Sequence, residues 1–168
     1  APQVALHTTS HYFLEGLNDI GIEYLFCNLG TDHAPLIALY RKARALPGIK
    51  KVFIASGLRY DLAVRSPEYV KELATHHVGG YLKIAPEHVS PGVLRLMNKT
   101  SRSLEEFRRL FRRLSRGRPQ GLKYYFMVAH PGTSEKEARD LAQYLKKLEK
   151  EGGNPLEGVQ IFTPTPMT

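Results

Sequence analysis

Residues 122–138 read LKYYFMVAHPGTSEKEA and contain one complete strand–loop–helix unit. The first part, residues 122–129, is an almost continuous run of apolar and aromatic side chains, which is typical of a strand buried on both faces. A Pro-Gly pair then ends the strand. Ser134 and Glu137 form a capping box, in which each side chain satisfies a free backbone donor at the start of a helix. We therefore predict a strand, a short loop and a helix in direct succession.

The same order of elements repeats on both sides of this stretch. Short apolar runs predict strands at residues 22–27, 51–55, 81–85, 122–129 and 159–162. Helix signals predict helices at residues 9–18, 34–45 and 91–97, and from residues 67, 103 and 135 onward. Buried strands separated by helices form parallel sheets with right-handed crossovers. The predicted fold class is therefore α/β. It has alternating βα units and about five parallel strands, as an open sheet or part of a barrel, in one unit over residues 1–168.

The composition excludes several classes of protein. The 168 residues are 42% hydrophobic and 24% charged, which is ordinary for a globular domain. No run approaches the roughly 18 apolar residues of a membrane span, and the start lacks a signal-peptide pattern. We expect a cytoplasmic protein without membrane contact and, because the chain starts without Met, a fragment.

Cys27 is the only cysteine, so no disulfide or iron–sulfur site is expected within the chain. Adjacent helical residues point about 100° apart, so His76-His77 predicts no metal site.

The net charge of +8 permits contact with nucleic acids or other anions. Seven arginines lie between residues 102 and 118, interleaved with apolar residues at helical spacing. The arginines therefore fall opposite the apolar stripe of an amphipathic helix, and we expect a solvated outer face. The alternative is a basic RNA-binding module, in which removal of four of these arginines would abolish salt-sensitive RNA binding. The four are Arg108, Arg109, Arg112 and Arg113.

The candidate site residues follow the predicted strand ends, because ligands of parallel α/β folds bind at the carboxyl ends of strands. Arg59 could hold a carboxylate or phosphate through two hydrogen bonds, or form a salt bridge with Asp61 or Glu87. Glu87 could accept hydrogen bonds from a ribose or an amino group, or assist the start of the next helix. His130 could donate to a ligand or only satisfy its own turn.

Several long runs carry a resemblance to a known family. They include LPGIKKVFIASGLRYDLAV, YVKELATHHVGGYLKIAPEHVSPGVLRLMNK, FMVAHPGTSEKEARDLAQYLKKL and VQIFTPTPMT. From about residue 31 to residue 168 the chain resembles the YgiQ-type (UPF0313) radical S-adenosylmethionine (SAM) proteins. In radical SAM enzymes such strands form the second half of a partial (βα)₆ barrel. The resemblance implies SAM as the ligand. By that resemblance the site includes Ser56, Gly57, Arg59, Glu87, His130, Pro131 and Gly132.

The sequence departs from this family at its cofactor. The family holds a [4Fe–4S] cluster on the three cysteines of a CxxxCxxC motif, and none of these is present here. Without thiolate ligands no cluster forms, and without the cluster no electron reaches SAM. We therefore expect a piece of a radical SAM protein that retains part of the SAM pocket and performs no radical chemistry alone.

The start of the chain resembles a different family. Residues 7–37, HTTSHYFLEGLNDIGIEYLFCNLGTDHAPLI, are similar to the first βα unit of thiamine-diphosphate-dependent enzymes of the acetolactate synthase type. A fragment of such an enzyme is a further alternative. Thiamine diphosphate itself is not expected as a cofactor, because that family's catalytic glutamate and its diphosphate and magnesium motifs are absent. Both families share the string at residues 31–37, so our hypothesis is a chimera joined between Gly30 and Ile37. Exposed strand edges in such a chain would promote homo-oligomers.

Overall fold

The computed structural model describes residues 32–99, 103–151 and 155–164, and the fold within them is α/β, as predicted. The helices are α1 (Ala34–Ala45), α2 (Tyr60–Ala63), α3 (Pro67–Glu72), α4 (Pro91–Leu96), α5 (Ser103–Leu114) and α6 (Glu135–Lys150). The strands are β1 (Tyr81–Glu87), β2 (Gly121–Val128) and β3 (Leu156–Ile161). The predicted helix 9–18 and strand 22–27 lie outside the described residues. Within the described residues, no helix combines the length and apolar character needed to cross a bilayer.

The three strands form one parallel sheet in the order β1-β2-β3. The register pairs Ile84 with Tyr124 across the first two strands, and Phe126 with Val159 across the second pair. Parallel neighbours need a crossover connection, which α4 and α5 provide after β1 and α6 provides after β2. All three strands therefore end at the same edge of the sheet.

Strand β3 is bonded on one side only, as far as the described residues show. The side chains of Val159 and Ile161 are 42% and 67% exposed, so this strand presents apolar groups to solvent. Such an edge can pair with another chain. The expectation of homo-oligomers rests on this edge and stays a prediction.

The predicted strand at residues 51–55 is wrong. The structure assigns these residues to no strand, and the amide of Ile54 donates to the carbonyl of His77 at 3.1 Å instead of to a sheet ladder. Phe53 is 48% exposed, so the apolar run is not buried as a whole. Only Leu58, further along the chain, joins the sheet through a single parallel bridge to Ile84. Residues 51–55 form no strand because their described backbone contact is with the turn that ends at His77 and not with a strand.

The core lies between the sheet and the helices that cross it. Helix α5 carries a stripe of buried apolar residues, Leu104, Phe107, Leu110 and Phe111. The sheet contributes Leu82, Ile84, Tyr124 and Phe126 to the same cluster. The predicted amphipathic character of α5 is therefore confirmed, with Arg109, Arg112 and Arg113 exposed on the other side of the helix.

The predicted helix starts are formed in different ways. At α6 the capping box is present: Ser134 Oγ accepts from the amide of Lys136 at 3.2 Å, and the Glu137 carboxylate accepts from the amide of Ser134 at 3.0 Å. Hydrogen bonds from Ser134 lower the pKa of Glu137. At α3, Pro67 begins the helix as predicted, but Ser66 makes no side-chain capping hydrogen bond. Helix α3 then widens into a π-helical turn, Leu73–His77, which no local pattern predicted.

Candidate functional site

The predicted site residues gather at the edge where the parallel strands end. Glu87 is the last residue of β1, and residues 130–132 form the loop after β2. Ser56 and Gly57 lie beside the end of β1, because the residue that follows them is bridged to Ile84. The structure thus brings these groups to one edge of the sheet. Glu87 and the loop after β2 lie there as the strand-end rule predicts, whereas no strand among the described residues precedes Ser56.

The carboxylate of Glu87 has two different oxygen environments at this edge. Its Oε1 accepts a hydrogen bond from Lys99 Nζ at 2.9 Å, and the two side chains are 17% and 12% exposed. Its Oε2 is buried and has no hydrogen-bond partner among the described residues. A buried acceptor without a partner costs free energy, so this oxygen favours a ligand that brings a donor. The ion pair with Lys99 was not predicted.

The backbone at the strand ends is strained. Glu87 has φ +66°, and Ala129, which follows β2, has φ +58°. For a residue with a Cβ this left-handed region costs on the order of 1–3 kcal/mol, and such residues cluster at ligand sites. Two neighbouring strands therefore end in the same unfavourable conformation at the candidate site.

Arg59 makes the salt bridge that the sequence left as one of two alternatives. Its Nε and Nη2 donate to the two carboxylate oxygens of Asp61 at 2.9 and 2.6 Å. Burial would raise the pKa of Asp61, but the hydrogen bonds and charge of Arg59 outweigh burial and hold that pKa below its usual value. About half of the Arg59 side chain remains open to solvent. Ligand binding by Arg59 stays a prediction.

The loop after β2 is closed by its own hydrogen bonds. His130 Nδ1 lies 2.8 Å from the carbonyl oxygen of Pro131, and the amide of Thr133 donates to the carbonyl of His130 at 2.9 Å. The His130 ring stands edge-on to Phe162, just past the end of β3, with 4.7 Å between ring centres. His130 therefore takes part in hydrogen bonds within its own turn, which is one of its two predicted roles. A ligand contact through its other ring nitrogen stays a prediction.

Gly132 gives this loop its backbone turn, with φ +86°. A Cβ at this position would fall 2.4 Å from Leu96 Cδ1, but Leu96 is 60% exposed and can rotate away. We expect Gly132→Ala to lower the free energy of unfolding by about 1–2 kcal/mol, because alanine must then adopt a left-handed backbone. Denaturant unfolding measures this loss.

Gly117 provides the matched control for that substitution. It also has a positive φ, +79°, and a Cβ there would meet no atom within 4 Å. Gly117→Ala should therefore cost about the same free energy as Gly132→Ala. A fully stable Gly132→Ala variant beside a destabilised Gly117→Ala variant would contradict the turn described here.

Lys99 is a site residue that the sequence analysis missed. Its amide donates to the carbonyl of Leu94 at 2.7 Å, and its Nζ lies 3.3 Å from the carbonyl oxygen of Ala85 as well as close to Glu87. Asn98, with φ +52°, turns the chain back toward β1 at this point. An asparagine after a short helix is a helix-end signal. No pattern in the neighbouring residues predicts that the side chain of Lys99 contacts the carboxylate of Glu87 at the end of β1.

His88 is a second missed residue. It is 1% exposed, its Nδ1 accepts from the amide of Ser90 at 2.9 Å, and its Nε2 is buried without a partner among the described residues. Burial lowers the pKa of His88, and the charges of Glu137 and Asp140 offset this only in part. His88 is therefore neutral at pH 7, and the hydrogen bond at Nδ1 places its proton on Nε2.

A cleft lies at the opposite edge, where the strands begin. It has a volume of about 820 Å³ and is lined by Tyr81, Gly121 and several arginines of α5. Functional residues of parallel α/β folds gather at the carboxyl ends of strands, so the cleft and the candidate site are separate features. In the described part of the chain, no three His, Cys, Asp or Glu side chains group as metal ligands.

Comparison with known proteins gives two findings. Residues 14–145 match the family model described as the Radical SAM superfamily. A UPF0313 protein of Chromobacterium violaceum is 59% identical over 143 residues, which cover 83% of this chain and 18% of that protein. A UPF0313 protein of Pseudomonas putida is 56% identical over 143 residues, again 83% of this chain and 18% of that protein. The chain thus spans about a fifth of the length of the curated relatives it matches.

Proposed function

This chain belongs to the radical SAM superfamily, and we propose on that basis that the strand-end edge of its sheet forms part of a SAM-binding site. The observation that carries the proposal is Oε2 of Glu87, a buried carboxylate oxygen that lacks a donor while Lys99 holds its partner oxygen. SAM offers donors that suit such an oxygen, namely its ribose hydroxyls and its amino groups. The strained backbone at the same residue supports the proposal.

Each residue of the proposed site has its own part. Glu87 accepts a hydrogen bond from a ribose hydroxyl or an amino group of SAM. Ser56 and Gly57 line the pocket beside β1, and residues 130–132 line it beside β2. The exposed part of the Arg59 guanidinium donates a hydrogen bond to the SAM carboxylate.

The [4Fe–4S] cluster that the family implies does not fit the residues of this chain. Its ligands are cysteine thiolates, and the sequence contains a single cysteine, Cys27, which lies outside the described residues. No radical step therefore follows from these residues alone. The chain corresponds to about a fifth of its relatives' length, and we propose radical activity only for a whole protein of that length. We propose that such activity needs thiolates from outside this chain.

The remaining expectations stay predictions. The thiamine-diphosphate alternative and the chimera rest on residues 7–37, of which residues 7–31 lie outside the described part. The family match begins at residue 14, inside that stretch. A cytoplasmic location is likewise a prediction.

A thermal melt with and without SAM tests the proposed site. SAM at about 100 times its Kd should stabilise the chain by about 2.7 kcal/mol, which raises Tm by several degrees for a domain of this size. Glu87→Gln should weaken SAM binding about tenfold or more, because a hydrogen bond to a charged acceptor is worth about 1.5–3 kcal/mol. Titration calorimetry gives both Kd values.

Glu106→Gln is the matched control, because Glu106 is an exposed carboxylate on α5. It should bind SAM as wild type does. A cooperative melt of the wild-type chain that SAM does not move overturns the proposed site. Equal affinity of Glu87→Gln and Glu106→Gln would remove Glu87 from it.

A further inference from the structure

Helix α5 presents an arginine face, which comprises Arg109, Arg112 and Arg113, together with Arg116 and Arg118 just beyond the helix. All five side chains are exposed. None of them pairs with a carboxylate in the part of the chain that the structure describes. Arg109, Arg112 and Arg113 lie at helical spacings of three and four residues, and Arg116 lines the same surface depression as these three.

The face contrasts with Arg108 on the same helix. Arg108 is 12% exposed, donates to Glu105 at 2.8 Å, pairs with Glu151 and lies over the ring of Tyr124. Arg108 thus has a structural role, and the RNA-binding alternative loses one of its four predicted arginines. Like charges at spacings of three and four residues destabilise a helix, so the arginine face does not serve helix stability.

The arginine face borders the cleft of about 820 Å³ at the start of the strands. Arg109, Arg112 and Arg118 line this cleft together with Tyr81, whose ring is 52% exposed. Lys123 Nζ lies 5.4 Å from the centre of that ring, which adds a further cation beside it. The two carboxylates that line the cleft, Glu105 and Glu151, both pair with Arg108 and leave the other arginines unopposed.

We propose that the arginine face and this cleft bind single-stranded nucleic acid. The unpaired guanidiniums contact successive phosphates, and the ring of Tyr81 stacks on an unpaired base. A positive groove beside an exposed aromatic ring is the arrangement used for single strands, because every base has a flat face that can stack. An acidic protein segment would use the charges but would not need the exposed ring. This binding is independent of the SAM site, which lies at the other edge of the sheet.

Fluorescence anisotropy tests the proposal with a labelled uridine oligonucleotide of about twelve residues, within the usual site size of such proteins. Arg109→Gln, Arg112→Gln and Arg113→Gln, combined in one variant, should raise Kd at least about tenfold. The slope of log K against log salt concentration should also shrink by about 2, since each phosphate contact on a single strand contributes about 0.7. A 2′-deoxyuridine oligonucleotide of equal length shows whether the sugar matters.

The matched control removes three positive charges elsewhere. Lys136, Lys146 and Lys147 are exposed on α6, and their joint change to Gln should alter Kd less than about threefold. Tyr81→Ala should weaken binding at least about fivefold, whereas Tyr81→Phe should retain it. Equal effects of the two triple variants, or no binding by the wild-type chain, would overturn the proposal. So would displacement of the oligonucleotide by an equally charged polyglutamate peptide at equal concentration, which would indicate an acidic protein as the partner.

Discussion

Phe107→Ala is expected to lower the free energy of unfolding by about 3–5 kcal/mol, which is the usual cost of removing a buried phenylalanine ring. The side chain is 0% exposed and lies on the inner face of α5. Its ring centre is 6.1 Å from that of Tyr60 and 6.2 Å from that of Phe111, so the substitution leaves a cavity between α2 and α5. A domain of this kind is stabilised by only about 5–15 kcal/mol in total, so the loss is a large share of it.

Thermal and denaturant unfolding measure this effect. A domain of this length should lose roughly 6–20 °C in Tm, at about 2–4 °C for each kcal/mol. Phe53→Ala is the matched control, because the same ring is removed from a position that is 48% exposed. It should cost far less. Similar losses in the two variants would show that α5 does not pack on the core as described.

Glu72→Gln is expected to produce the second large loss of stability, about 2 kcal/mol or more. Glu72 is 6% exposed and accepts from Arg44 at 2.6 Å and from Arg41 at 3.3 Å, and its Oε1 lies 3.4 Å from His77 Nε2. Removing one partner of a buried ion pair leaves the remaining charges without compensation. The loss falls short of the full buried-pair penalty, because Arg41 and Arg44 keep part of their surface in water.

The same carboxylate makes stability depend on pH. Burial would raise the pKa of Glu72, but hydrogen bonds and charge from Arg44, with a further hydrogen bond from Arg41, hold it below its usual value of 4.5. A carboxylate with a lowered pKa stabilises the folded state above the unfolded-state pKa, and that contribution is lost as pH falls through the folded-state pKa. The stability difference between wild type and Glu72→Gln should therefore be full at neutral pH and shrink below about pH 4.5.

Denaturant unfolding across acid pH checks both parts of this expectation. Glu68→Gln serves as the control, because Glu68 is 74% exposed and only 3.8 Å from the same Arg41. An exposed pair of this kind is worth at most about 1 kcal/mol. If Glu68→Gln and Glu72→Gln lose the same stability, the buried ion pair does not hold α1 against α3.

Local sequence patterns suffice to predict several elements of the fold. The apolar run at residues 122–129 forms β2, and the capping box of Ser134 and Glu137 begins α6. The apolar stripe of α5 is buried as its spacing predicts. The pattern that predicts each of these features lies within a few positions along the chain, so it can be recognised in the sequence alone.

The run at residues 51–55 shows where such patterns fail. Its apolar content is that of a buried strand, yet its backbone bonds to the π-helical turn and one aromatic ring stays half exposed. Whether an apolar run becomes a strand depends on a neighbouring strand with free donors and acceptors. That neighbour is set by the packing of distant elements.

For the candidate site, the sequence by itself determined that the loops after β1 and β2 meet at one edge, because parallel strands joined by helices must end there. It determined neither the partners of the side chains nor their accessibility. Only the tertiary structure decided that Arg59 pairs with Asp61 and that Lys99 pairs with Glu87. It also decided that Arg108 pairs with Glu105 and Glu151, while the exposed arginines beside it on the helix pair with no carboxylate among the described residues. The physical reason is that the succession of strands and helices along the chain follows largely from local hydrophobic periodicity, whereas pairing and burial of a charge depend on which distant backbone packs beside it.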